Sequence, residues 1–448
     1  MWRGATTMLL DGRTTAKTAS NVSLHGSHLG QISGFHASAP RQRLPLVIAA
    51  VGVGLAITTR YVIRAQERVK QKREAAAAPR DQPLSVMVGL DLGSINARAC
   101  GIDLETKPYK TVFESDRMAA QVRSGELVVG NLAAKNMVPN LRAHLLTDAS
   151  SSAGILDIGA DDSVTVDTVL ESLLESLHGR VRSSLEKHHN DMDDLLPCVC
   201  AVPSHYDGPP LDRLRLILQH AGYRVMDFVP ESVAAALSLP KEDAGTPPVK
   251  HLAVFDMGGI ETTCSILHCD ADMTSPTILS TSTTTVCSGV AVSANIVEHL
   301  AGAFQKKHGI DLRVDSLAME RLTQAADAAK HELSSAAFSQ VHLPFITADA
   351  SGAKHLEHTI TSSALHRLME TPLEHAATLC REALRRAKLD AVDAVVVVGG
   401  GGKSPLVQAS VGHALDNPRL LVIENAEEAV ALGAATRGVA LAEFTTLR

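Results

Sequence analysis

Aromatic side chains are scarce in this chain: Phe, Trp and Tyr make up 3% of 448 residues. Its core must therefore be assembled from Ala, Val and Leu, and the exposed rings on which single-stranded nucleic acid stacks are missing. Charge of a single sign is also missing. The net charge is −7, yet residues 1–80 carry twelve Lys or Arg against three acids (Asp11, Glu67, Glu74), so the remainder is more acidic than the total suggests. An acidic body is a poor match for a phosphate backbone, and no nucleic-acid partner is expected. Cysteine is sparse and unpatterned. Cys100, Cys198, Cys200, Cys264, Cys269, Cys287 and Cys380 are odd in number, scattered and without a Cys-x-x-Cys or zinc spacing. They read as small apolar residues rather than as a disulfide framework. The length allows two or three core-forming units.

The basic charge is concentrated at the start. Residues 1–43 contain Arg3, Arg13, Lys17, Arg41 and Arg43, many Ser and Thr, and the single acid Asp11. That is the composition of a mitochondrial transit peptide rather than of a secretory signal; a disordered tail is the alternative. Residues 44–63 (LPLVIAAVGVGLAITTRYVI) are apolar up to Arg60. With Arg60 snorkelling and Tyr61 at the interface, they are long enough for a transmembrane helix. Arg60, Arg64, Arg68, Lys70, Lys72 and Arg73 follow, which keeps the C-terminal side on the matrix or cytosolic face. A buried helix or the core of a longer targeting signal is the other reading. The stretch GVGLAITTRYVIRA is similar to the anchor of the tethered J-protein of the mitochondrial import motor. Residues 64–84 form a basic linker, and the folded part is expected from residue 85.

Two segments of that folded part share one pattern. SVMVGLDL (85–92) is an apolar strand that ends in Asp91-Leu-Gly93-Ser94, with a second strand-like run over 97–103. HLAVFD (251–256) is another, followed by Met257-Gly258-Gly259 and a second run over 263–268. A hairpin with Gly and a hydroxyl at its tip can wrap N–H groups around an anion, and an acid just before it can hold a metal through water. A third glycine turn, 399–402, follows the valine run 395–398 and leads into a helix at Pro405. Two Asp hairpins and a late glycine turn imply two similar lobes around a nucleotide. Gly402-Lys403-Ser404 is not a P-loop, because the first glycine of that motif would fall on Val397.

Over residues 86–442 these segments resemble, in order, the ATPase domain of the heat shock protein 70 (DnaK-like) family. VGLDLGSIN (88–96) resembles the first phosphate loop, and VGNLAAKNM (129–137) the segment with the catalytic lysine, here Lys135. The block 201–237, with its Glu231-Ser-Val-Ala-Ala-Ala, resembles the connection between the lobes. VFDMGGIETTCSIL (254–267) resembles the second phosphate loop, and RLTQAADAAKHELSS (321–335) the helix that holds adenosine. VVVVGGGGKSPLVQ (395–408) and ENAEEAVALGAA (424–435) resemble the adenine turn and the closing helix. The resemblance implies an α/β protein of the actin-like ATPase fold, with two lobes, each with a ribonuclease-H-like core, and the nucleotide cleft between them. Lobe I is expected over 85–249, lobe II over 250–424, and a closing helix that returns to lobe I over 425–448, with no peptide-binding domain.

The same resemblance implies roles. ATP or ADP would bind with Mg²⁺, which Asp91 and Asp256 would hold through water. Lys135 would stabilise charge on the attacked phosphate and Glu231 would orient the metal's waters. Gly93, Ser94, Ile95, Asn96, Gly258, Gly259 and Gly289 would approach the phosphates. Asp327, Lys330, His331 and Ser334 would hold ribose and adenine, with Gly399, Gly400, Lys403 and Glu427 across the ring. Each has a plainer alternative: the two Asp as turn formers, Lys135 as a solvated surface lysine.

The second phosphate loop departs from the family pattern. Its third glycine is Ile260, its threonine is Glu261 and its last Asp is Thr263; in the first loop the second threonine is Ile95. Ile260 restricts backbone approach, and Glu261 repels a terminal phosphate. One residue is also inserted between Gly130 and Lys135. The expectation is a membrane-tethered nucleotide switch with slow hydrolysis, acting in protein folding or import. Its partners would be a J-protein, an exchange factor or import-motor proteins, at the mitochondrial inner membrane with the ATPase domain in the matrix, or alternatively at the endoplasmic reticulum. A pseudo-ATPase scaffold is the competing reading, and a metabolic kinase or phosphatase on the same fold a third.

Overall fold

The computed structural model describes residues 84–123, 126–130, 141, 145, 155–157, 163–186, 192, 194–240 and 247–446. The chain divides into a unit Met1–Arg64 and a unit Ala65–Arg448, and only residues of the second are described. The leader, the expected transmembrane segment 44–63 and Lys135 lie outside the described residues. Among the described residues, no helix is long and apolar enough to cross a membrane.

The first sheet starts with β1 (Val86–Leu92), β2 (Asn96–Asp103) and β3 (Lys110–Arg117), an antiparallel meander. Two small hairpins follow, β4–β5 (Ala120–Arg123, Glu126–Val129) and β6–β7 (Ile155–Asp157, Ser163–Thr165). Helix α1 (Val166–Glu186) buries Val169, Leu170, Leu173, Leu174, Leu177, Val181 and Leu185, the three-and-four spacing of one apolar stripe. β8 (Leu196–Val202), α2 (Pro209–His220) and β9 (Tyr223–Pro230) complete it, giving the order β3-β2-β1-β8-β9 with β8 and β9 parallel to β1. Every residue of β1 and β8 is buried, as strands covered on both faces must be. A buried Val or Leu contributes roughly 1.5–3 kcal/mol, so these runs and the α1 stripe fix the sheet. A short helix, α3 (Glu231–Leu237), leaves its end.

The second sheet repeats this plan. β10 (His251–Met257), β11 (Thr262–His268) and β12 (Thr277–Thr284) form the meander. Helices α4 (Gly289–His308) and α5 (Ser316–Glu332), the hairpin β13–β14 (Phe338–Asp349, Gly352–Thr361) and α6 (Ser362–Ala387) are inserted next. β15 (Ala394–Val398), α7 (Pro405–Ala414) and β16 (Arg419–Leu421) then close the order β12-β11-β10-β15-β16, with β15 and β16 parallel to β10. The last helix, α8 (Ala429–Thr446), returns to the first sheet. It packs on β1 through Ala431 and Ala435 against Gly89, and Gly433 lies on the backbone of Ala234 in α3. A core shared by Val199, Ala201, Ala234, Val254, Val396, Ala429 and Ala434 lies where the two sheets meet these helices.

All seven cysteines are buried. Burial, aided by the nearby Glu428 charge, pushes the Cys100 thiol up to about 12, so it stays an uncharged apolar residue at neutral pH.

Candidate functional site

The two Asp-x-Gly hairpins are built alike. Residue pairing sets Asp91 opposite Arg98 in the first and Asp256 opposite Thr263 in the second. In the second turn the Gly258 N–H donates to the Glu261 carbonyl at 3.0 Å. A Cβ on Gly258 would meet that carbonyl at 2.6 Å, and one on Gly93 would meet the Asn96 carbonyl at 2.7 Å. Both glycines are thus required by the turn itself. The 256–263 hairpin contains no positive φ, so Ile260 sits there without the strain its replacement of a glycine suggests.

The hairpin tips meet one another. The Ile95 side chain covers the α-carbon of Gly259, where any Cβ would collide with it, and the Ile260 N–H donates to the Ser94 hydroxyl at 3.1 Å. Helix α4 begins on the second tip. Ser288 caps it by accepting from the Ala291 N–H, and Gly289 and Val290 donate to the carbonyls of Gly258 and Gly259 at 3.0 and 2.8 Å. First-turn N–H groups that otherwise lack partners are in this way spent on fixing the loop.

Around these tips lies a cavity of about 2000 Å³. Asp91, Gly93, Ser94, Ile95 and Asn96 line it from the first hairpin, Asp256, Gly258, Gly259 and Glu261 from the second, and Glu231 from the start of α3. Gly289 adds to it from α4; Asp327, Lys330, His331 and Ser334 come from α5 and its end; Gly399, Gly400, Lys403 and Glu427 come from the C-terminal turns. Every candidate named from sequence faces this one space, except Lys135, which is outside the described residues.

The far wall is held by two polar clusters. The Lys330 ammonium donates to the Gly289 carbonyl at 3.1 Å, the Ser293 hydroxyl at 2.9 Å and the Asp327 carboxylate at 2.7 Å. An ammonium has three donors; two reach α4 and the third holds Asp327 on its own helix, which itself accepts from Ser293. Burial pushes the Asp327 carboxyl up, but the hydrogen bond and charge of Lys330, with His331 and Ser293, outweigh it and hold it below its usual value. The second cluster joins Lys403 to Glu427 at 2.7 Å. That bond holds the Glu427 carboxyl down against its burial, with further help from the Lys403, Arg98 and His331 charges. Gly399 has φ 76° and carries no side chain because the Asp256 carboxylate and the Met257 carbonyl occupy that space.

Two placements refine the sequence expectations. Helix α5 ends at Glu332, so Ser334 lies beyond it and bonds back to the His331 carbonyl at 2.6 Å. The closing helix begins at Ala429, which leaves Glu427 in the preceding turn, where its side chain reaches Lys403. The sequence reading passed over Arg98, Arg117 and Ser293. Alternation along β2 puts Arg98 on the face of Asn96, and Ser293 is one helical turn beyond Gly289, so both were open to pattern reading. A smaller crevice continues from the cavity past Glu231 and Glu261 to Pro203, His205 and Thr283.

Two lobes of identical strand order, each presenting an Asp-x-Gly hairpin to a shared cavity, with a helix crossing back between them, define the actin-like ATPase fold. The model of the Hsp70 protein family matches residues 129–446. This chain belongs to the Hsp70 family, in which ATP binding and chaperone function are general, and carries its ATPase domain. The match begins at the end of β5, so the first hairpin lies ahead of it; what ties that hairpin to the fold is its congruence with the second.

Proposed function

We propose that this chain is a membrane-tethered nucleotide switch that binds ATP or ADP in the cavity between its lobes and hydrolyses ATP slowly. The observation that carries this reading is the convergence of both Asp-x-Gly hairpins, the α5 wall and the 399–403 turn on one cavity. Gly258, Gly259 and Gly289 would meet phosphate oxygens, with Ser94, Ile95 and Asn96 opposite, only once the Ile95 side chain withdraws from Gly259 and the Gly258 and Gly289 N–H groups give up their bonds within the loop. Entry of a phosphate between the tips has to exchange the Ser94–Ile260 hydrogen bond for one to the ligand. Asp327, His331 and Ser334 would face the ribose and base, with Gly400, Lys403 and Glu427 on the other side. Lys330 acts mainly as the brace that keeps α4 and the second loop in register.

The cavity wall near the tips carries the carboxylates of Asp91, Asp256 and Glu231, oxygen ligands suited to Mg²⁺ held through water, with the Arg98 guanidinium beside Asp91. Bound there, Mg²⁺ would neutralise phosphate charge. Lys135 would lend positive charge to the attacked phosphate. Glu261 opposes the terminal phosphate, and it faces the same crevice as Glu231; this is why hydrolysis is expected to be slow. Nucleotide-dependent closure of the lobes would change the surface offered to a J-protein, an exchange factor or import-motor proteins. The Arg- and Ser-rich leader, the apolar run 44–63 and its basic flank support placement in the mitochondrial inner membrane with the ATPase domain in the matrix; the endoplasmic reticulum membrane is the alternative.

The mutual packing of Ile95, Gly259, Ser94 and Ile260 favours a second reading, a scaffold that keeps its lobes joined without nucleotide. Calorimetric titration of the full chain in detergent with ATP and ADP separates the two. Micromolar binding lost in Asp256→Asn supports the switch; no heat at millimolar nucleotide leaves the scaffold. Slow single-turnover hydrolysis lost in Lys135→Ala would make the switch an ATPase.

A further inference from the structure

The lobe I wall of the cavity carries a cation that the reading above leaves without a task. Along β2, Ala97 and Ala99 are buried while Arg98 faces the cavity, with 18% of its side chain exposed. The hairpin register sets it directly across from Asp91, so the two side chains share a face. Its Nη1 is 3.9 Å from Asp91 Oδ2 and its Nη2 is 4.0 Å from Glu427 Oε2. The same Nη1 lies 3.9 Å from the point where a Cβ on Gly93 would stand. The guanidinium therefore lies over the first glycine turn, between an acid of the hairpin and an acid of the C-terminal turn. Both carboxylate contacts exceed hydrogen-bond length, so they hold the group in place by charge without consuming its donors. The congruent position of the second hairpin is Thr263, so this cation belongs to one side of the cavity only.

We propose that Arg98 is a phosphate-binding residue that supplies the positive charge otherwise taken from a divalent cation, so that this chain binds a nucleoside diphosphate without Mg²⁺. A planar guanidinium presents paired donors that match two oxygens of a phosphate. With only 18% of its side chain exposed, its charge acts through a lower effective dielectric than at the open surface. It also offsets the negative charge that Asp91 would offer a divalent ion, which lowers the gain from binding one. The inference rests on the nucleotide reading and is separable from it by experiment.

The test is calorimetry of the full chain in detergent with ADP, in Mg²⁺ and in a chelator, beside Arg98→Gln and Arg98→Lys, with adenosine as the phosphate-free probe. Expected is a wild-type ADP affinity that changes less than about three-fold on chelation. Arg98→Gln should lose at least about ten-fold in chelator, regain part of it with Mg²⁺, and bind adenosine as before; Arg98→Lys, with the charge but not the fork, should fall between. Unchanged adenosine binding by Arg98→Gln also shows that the variant is folded. Wild-type ADP binding that requires Mg²⁺, or Arg98→Gln binding ADP normally in chelator, overturns this proposal and leaves the nucleotide reading standing. Absence of ADP and adenosine binding in every buffer overturns both.

Discussion

Lys330→Met tests whether the α4–α5 brace is electrostatic. The substitution keeps the methylene stem and removes the ammonium that bonds Gly289, Ser293 and Asp327. A hydrogen bond to a charged group is worth roughly 1.5–3 kcal/mol. Asp327 keeps 39% of its side-chain surface in solvent, so water recovers part of that value, and Ser293 still donates to the carboxylate at 3.1 Å. A loss of about 1–2 kcal/mol at pH 7 is expected. The pH dependence has a fixed sign. The Asp327 carboxyl is held below its usual value, so the contribution is complete above the unfolded value near ~3.9 and fades as pH falls through the lower folded one. Urea titrations of both proteins at pH 7 and about pH 3 should therefore show a gap that narrows in acid. No gap at pH 7 refutes the brace, and a gap of constant size shows that the bonds to Gly289 and Ser293, not the Asp327 charge, carry it.

Two further outcomes follow from the cavity. Glu261→Thr removes a unit charge from the crevice it shares with Glu231. At about 8 Å and an effective dielectric near 20 such a charge opposes a phosphate by roughly 2 kcal/mol, so the ratio of ATP to ADP affinity should rise at least ten-fold; an unchanged ratio in calorimetry removes the repulsion argument. Gly399→Ala forces a Cβ onto the Asp256 carboxylate at φ 76°. It should cost about 2 kcal/mol or more, read as a lowered melting temperature together with weakened nucleotide binding; a variant as stable as the parent would show that the turn readily relaxes.

What the sequence conveyed was what short-range rules control. The Asp91 and Asp256 hairpins were legible because a glycine turn fixes the register of the strands that flank it, and the runs around Val88 and Val254 declare buried strands by composition. The family match covers residues 129–446, the range that contains the later segments. Arg98 escaped because its meaning depends on the strand partner and on Glu427, more than three hundred residues away. Lys330 was expected to hold ribose or adenine, and in the structure its three donors are all spent on protein groups. A side chain's place on a cavity wall can be read from pattern, but the partners that claim its hydrogen bonds are settled by tertiary packing. The Ile95–Gly259 contact is of the same kind, since no local rule brings the two tips together.

The crossing of α3 and α8 has a mechanical consequence. Gly433 lies on the main chain of Ala234, and Ala431 and Ala435 lie on Gly89, so at these points backbone meets backbone with no long side chains interleaved. Interlocked side chains resist sliding because each step forces rotamers over barriers, whereas surfaces of Gly and Ala present few such teeth. Pulling the same surfaces apart exposes apolar area and is opposed along the whole contact. The crossing therefore behaves as a bearing, compliant to lateral displacement and stiff to separation, and relative motion of the lobes should take the form of shear along these helices.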